Sequence, residues 1–207
     1  MSNDAPAVYR ASFQKNQPRM ILDAIQTICR HDGATLLQAG EPGAITRKTF
    51  DLDVDDLEDF SHVDIRKAAK YQQLFAELAQ PAMRGPALYV FELLPGCDNK
   101  HLLERLLRYQ GTAGSKAVPA LRKHPRTDST FLYVGKVKKD FWGRLIQHLG
   151  FYKNERTQGL QLYHWMRGSG AKLRVHVHVF PRGVAELMGG LEVQVAQRLH
   201  PLIGKHK

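Results

Sequence analysis

Five side chains in this chain are of types suited to breaking a phosphodiester: Tyr89, Tyr133, Arg144, His148 and Glu192. The substrate is already anionic, and the transition state of its hydrolysis gathers more charge on the oxygens. One glutamate suffices to hold Mg²⁺ (or Mn²⁺), because such an ion keeps several waters and needs only one or two carboxylates. A cation on Glu192 would polarise a non-bridging oxygen and favour departure of the alkoxide. The planar donor fork of Arg144 grips phosphate and offsets developing charge. A tyrosine can take a proton from the attacking water only if its pKa falls below the ordinary value of about 10. Lys136, Arg144 or the metal would supply the field for that. Tyr89 is assigned this role, Tyr133 positions the water or Tyr89, and His148 relays a proton or holds the phosphate. Each residue also has a plainer explanation: a packed core tyrosine, the wet face of a helix, a glutamate favoured early in a helix. Their joint occurrence in this order favours the site.

These groups need elements to carry them. The apolar runs at 87–91 and 131–136 read as strands that bear the two tyrosines. Residues 140–149 read as a helix, with Asp140 able to cap it and Phe141, Leu145 and Leu149 on one face. Glu192 lies in a helical pattern from 184 to 199, which Pro201 ends. Residues 160–166 and 173–180 read as two strands around the turn Arg167-Gly168-Ser169-Gly170. Upstream, a helix is expected over 18–31 with Asp32-Gly33 as its stop. Short strands follow at 34–38 and 44–52, then a helix at 63–78. The break at 81–86 divides an N-terminal α/β extension, residues 1–80, from a domain at 81–207. Between the tyrosine strands, about 95–130 reads as an insertion, with a helix at 101–109 and a basic, glycine- and proline-containing stretch at 111–128. The expected fold is α+β, a small, mainly antiparallel sheet flanked by helices.

The chain has 207 residues and a formal charge of +10. Residues 1–64 hold six Lys/Arg against eleven Asp/Glu, whereas 65–207 hold twenty-four against nine. The net of +15 downstream sets up a field that attracts polyphosphate and releases counterions on binding. Lys136, Lys138, Lys139, Arg122, Lys123, Arg126 and Lys205 are the candidate backbone contacts. The acidic run at 51–59 reads as a solvated loop or as a mask over that basic surface. No apolar run is long enough to span a bilayer, and no signal-like stretch opens the chain. Cys29 and Cys97 form no CxxC pair, so neither a disulfide framework nor a structural zinc site is indicated. A cytoplasmic protein is expected.

The order of these residues resembles the GIY-YIG nuclease family over about 86–205. Ala87-Leu88-Tyr89 stands where the family has Gly-Ile-Tyr and keeps only the tyrosine. Tyr133-Val134-Gly135 matches Tyr-Ile-Gly closely, and Lys136 follows it. Arg144, His148 and Glu192 fall where the family has its helix arginine, the histidine or tyrosine one turn later, and its metal-binding glutamate. Two departures stand beside the match: the tyrosines are 44 positions apart, and Gly204-Lys205 replaces the terminal asparagine. The resemblance implies a GIY-YIG-like fold and a Mg²⁺-dependent endonuclease acting on DNA, with RNA left open. Restriction, phage defence or mobile-element biology would be its setting, and such members often pair, which leaves a homodimer open.

Two other readings compete. A catalytically inactive, basic DNA/RNA-binding module would use the same scaffold without cutting. A zinc-binding domain would join His176 and His178, on one side of a strand, to His164 on the strand before. Glu186 is a weaker alternative to Glu192, standing too far ahead of Pro201.

Overall fold

The computed structural model describes residues 7–41, 43–58, 64–122, 125–151 and 158–204, with backbone alone at 7–22 and 29. By contacts the chain divides into two units, Met1–Glu41 and Pro42–Lys207.

The described part of the first unit is built on one helix, α1 (Ala7–Gly40). It runs through Asp32-Gly33 and takes in 34–38, where a stop and a strand were expected. A short apolar run cannot be told from a helix segment by periodicity alone, and here helix continuity prevails.

The second unit is built on β1 (Thr46–Asp53), β2 (Ala87–Leu93), β3 (Phe131–Val137) and β4 (Lys172–Val179). They form one open sheet in the order β1-β4-β2-β3, and every pair is antiparallel. The division expected at 81–86 is therefore misplaced. β1 pairs with β4 along its full length, from Thr46↔Val179 to Asp53↔Lys172, so no separate α/β extension reaches residue 80. The proline-marked break holds only a 3₁₀ turn (Pro81–Met83) between α2 (Ala69–Leu78) and β2.

Alternation explains the core. Leu52, Leu173, Val175, Val177, Tyr89, Phe91 and Tyr133 are buried together, and the register sets Tyr89 beside Val177 and Gly135, and Phe91 beside Tyr133. Leu88, Val90 and Val134 alternate to the opposite face and are buried too, which is why β2 reads as a continuous apolar run.

The helices of this unit are α2, α3 (Asn99–Gln110), α4 (Phe141–Leu149), α5 (Leu162–Trp165) and α6 (Met188–Leu199). α4 is a nine-residue helix whose buried positions Phe141, Leu145, His148 and Leu149 follow the helical repeat. Gly150, at φ 103°, ends it in the left-handed region, where glycine meets no Cβ penalty. Asp140 occupies the cap position but makes no side-chain cap bond. α6 begins later than the pattern suggests, after a 3₁₀ turn at Arg182–Val184.

The segment read as a strand at 160–166 is the short helix α5. Leu160, Gln161, Leu162, Trp165 and Met166 are all buried, a run without the alternation a half-buried strand requires. Two members of the acidic run have structural partners. Asp51 pairs with Arg174 through two bonds of 2.8 and 2.9 Å, and Asp55 accepts from the Gly168 and Gly170 amides. Among the described residues no helix is long and apolar enough to cross a membrane.

Candidate active site

Gly135 shows how the two tyrosines come together. A Cβ there would lie 2.6 Å from the Tyr133 ring and 2.6 Å from the Tyr89 hydroxyl, closer than atoms can approach. The missing side chain lets both rings lie against β3. Their centroids are 6.3 Å apart, and Phe141 of α4 packs 4.9 Å from Tyr89.

The same helix delivers the polar groups. Arg144 Nε donates to the Tyr89 hydroxyl at 3.2 Å, and its guanidinium also engages the Tyr133 hydroxyl. Another of its nitrogens donates to Gln147 Oε1 at 2.5 Å. His148 lies one turn on and is fully buried. Its Nδ1 accepts the Leu160 amide at 3.1 Å, and its Nε2 lies 2.9 Å from the Tyr89 hydroxyl. A nitrogen that accepts an N–H bears no proton, so the ring's hydrogen sits on Nε2 and is donated to Tyr89. The Tyr89 oxygen thus accepts from both Arg144 and His148.

This arrangement changes two of the expected roles. Tyr89 is fully buried and both its acceptor positions are filled, so it does not face a water at the surface. His148 has both nitrogens engaged inside the protein, so it does not hold a phosphate. Together they orient Arg144. Tyr133 and Glu192 reach the surface slightly, at 7 % of the residue and 17 % of the side chain respectively.

The electrostatics agree. Burial pushes the Tyr89 hydroxyl far above its ordinary pKa, with Tyr133 adding and Arg144 opposing. Tyr133 moves the same way, again chiefly through burial. Burial, then Arg144, holds His148 well below the imidazole range. Burial opposes the charge on Arg144, yet its bonds to the two hydroxyls outweigh that and raise its pKa.

Glu192 comes from α6, which packs against β3 and β2. Burial raises its carboxyl pKa, and Lys136 and Arg144 counter the rise. The carboxylate also acts electrostatically on both tyrosines, while its direct contact is with Lys136. Lys136 joins them, its Nζ 3.5 Å from Glu192 Oε2. Glu186, by contrast, is exposed and pairs with Lys138 at 2.5 Å. Among the described residues no three His, Cys, Asp or Glu side chains gather as a metal cluster. A single half-buried carboxylate still fits Mg²⁺, which retains most of its water.

The other predicted contacts divide. Arg122 donates to the Ala196 carbonyl at 3.1 Å and so ties the loop to α6. Arg126 pairs with Asp128. Lys138 and Lys139 are exposed just after β3. Lys123 and Lys205 lie outside the described residues. The loop between α3 and β3 is fastened as well: Gly159 donates to Ala117, and Gly204 to Ala120. The zinc triad does not form. His164 sits on α5 and stacks on Tyr109 at 5.8 Å, while His176 Nε2 meets Glu92 at 2.8 Å.

Three contributors were given no role from the sequence. Gln147 was legible as the residue one turn beyond Arg144. Gly135 lay inside the matched motif. The Leu160 amide, a backbone group twelve residues from His148, left no signal. Compared with known proteins, the chain matches no family model, no curated protein and no solved structure.

Proposed function

We propose that this protein is a metal-dependent endonuclease that hydrolyses DNA phosphodiester bonds, with Glu192 as the metal-binding residue. The observation that carries this reading is the cluster of Glu192, Lys136, Arg144 and Tyr133, assembled from β3, α4 and α6. When bound, Mg²⁺ or Mn²⁺ would polarise the phosphate and stabilise the leaving alkoxide. Arg144 grips a non-bridging oxygen, with its direction fixed by Tyr89 and Gln147. Tyr133 orients the attacking water through its hydroxyl. As the water oxygen bonds to phosphorus the P–O bond to the alkoxide breaks, and the water's proton passes through solvent to that alkoxide. Tyr89 and His148 are positioning residues that hold Arg144 in line. No phenolate contributes at neutral pH, because burial keeps both hydroxyls protonated.

Incubation of supercoiled plasmid with Mg²⁺ tests this directly. Nicked or linear product should appear with wild type, vanish with chelator, and vanish with Glu192→Gln at unchanged melting temperature. Wild-type cutting by that variant would remove the assignment. Arg144→Ala should slow cutting by roughly 10²–10³-fold, the usual effect of losing one preorganised donor.

A second reading is favoured by the complete burial of Tyr89: a basic DNA- or RNA-binding module that does not cut. It predicts salt-sensitive binding without nicks, indifferent to Mg²⁺.

A further inference from the structure

The Lys136 ammonium is seated on Glu192. Its Nζ lies 3.5 Å from Glu192 Oε2, and α6 leaves room for it. A Cβ added at Gly189 would come within 2.9 Å of that nitrogen. Gly189 and Glu192 are three apart in one helix and so share a face. Glycine is among the poorest helix residues, and the seat for the amine accounts for its place one turn ahead of the carboxylate. The neighbouring Lys138 pairs elsewhere, with Glu186.

We propose that Lys136 is a resident counter-cation of Glu192, which a divalent ion must displace and which then turns to the substrate phosphate. This rests on reading Glu192 as the metal-binding residue. A half-buried carboxylate is costly without an opposite charge, and the ammonium supplies one before any metal arrives. Two cations on one carboxylate repel, so the amine weakens metal binding to the free protein. A phosphodiester relieves that competition by offering the amine, on its flexible four-carbon stem, another anion. Metal and nucleic acid then strengthen each other's binding, and the coupling is reciprocal.

Calorimetric titration of Mn²⁺ into the full-length protein tests this. Lys136→Met and Gly189→Ala should each bind Mn²⁺ at least about fivefold tighter than wild type, the lower end of such couplings. Gly189→Ala keeps the lysine and dislodges only its amine, so it reads the seat itself. Lys136→Arg should stay near wild type. Equal affinity across wild type, Lys136→Met and Gly189→Ala, with binding abolished in Glu192→Gln, would overturn the inference and leave the metal assignment standing. Undiminished binding in Glu192→Gln, or no binding by any form, would overturn both.

Discussion

At Gly135 the requirement is one of space, because the missing Cβ would fall 2.6 Å from both tyrosine rings. Gly135→Ala must push the rings or β3 aside. Chemical denaturation should show a loss of about 1–3 kcal/mol, as for other overpacked positions, together with loss of cutting. His148 makes a pH prediction. Burial and Arg144 depress its pKa in the folded chain, whereas the unfolded chain takes up the proton below about pH 6.5. The stability tied to the neutral ring is therefore complete above that pH and declines as pH falls toward the folded value. His164 and His178, also held low by burial, act in the same direction. The denaturation midpoint should be lower at about pH 5.5 than at about pH 7.5, and the gap should narrow in His148→Gln. An unchanged gap would show that His148 is not responsible.

At the scale of elements, α4 is the part that aims the site, and the segment at 159–161 braces it. A Cβ at Gly159 would meet the Gln147 carbonyl at 2.5 Å, and the next amide holds His148. Gln161 follows at φ 55°, a conformation non-glycine residues rarely adopt. Two alanine substitutions should consequently have opposite signs. Gly159→Ala must shift the brace and should cost about 1–3 kcal/mol. Gly143→Ala, inside α4 with nothing within 4 Å of its Cβ, should gain up to about 1 kcal/mol from helix propensity. Thermal melts of the pair decide it, and destabilisation by Gly143→Ala would contradict the packing described. The histidine also moved the sequence reading. Arg144 and His148 read as two site residues on one helix face, but one meets the tyrosines and the other is sealed beneath them.

For the whole molecule, the proposed function together with the charge of residues 65–207 predicts DNA binding that weakens with salt, by a logarithmic slope near −0.9 per phosphate contacted on the duplex. Lys138 and Lys139 are exposed just after β3, Lys138 in a surface pair with Glu186, whereas Arg122 is used within the protein. Lys138→Ala with Lys139→Ala should flatten the slope by about 1–2, measured by fluorescence anisotropy from low to moderate salt. Arg122→Ala should instead lower the melting temperature, because its guanidinium holds α6 to the loop.

The sequence alone determined what depends on local pattern. The tyrosine strands follow from short apolar runs, and α4 and α6 from a 3.6-residue periodicity and the residues that end them. The identity of the candidate side chains came instead from residue type and from the family resemblance, as did the expectation of a mainly antiparallel sheet. Tertiary structure decided which of them face outward, because burial depends on what other segments cover. A backbone amide at Leu160 fixes the tautomer of His148, and no residue type announces it. The joining of β1 to β4, some 120 positions away, was equally hidden, because strand pairing across such a distance leaves no mark in the local sequence. Composition placed the positive charge downstream, but only the fold consumed part of it in internal bonds and set one ammonium on Glu192.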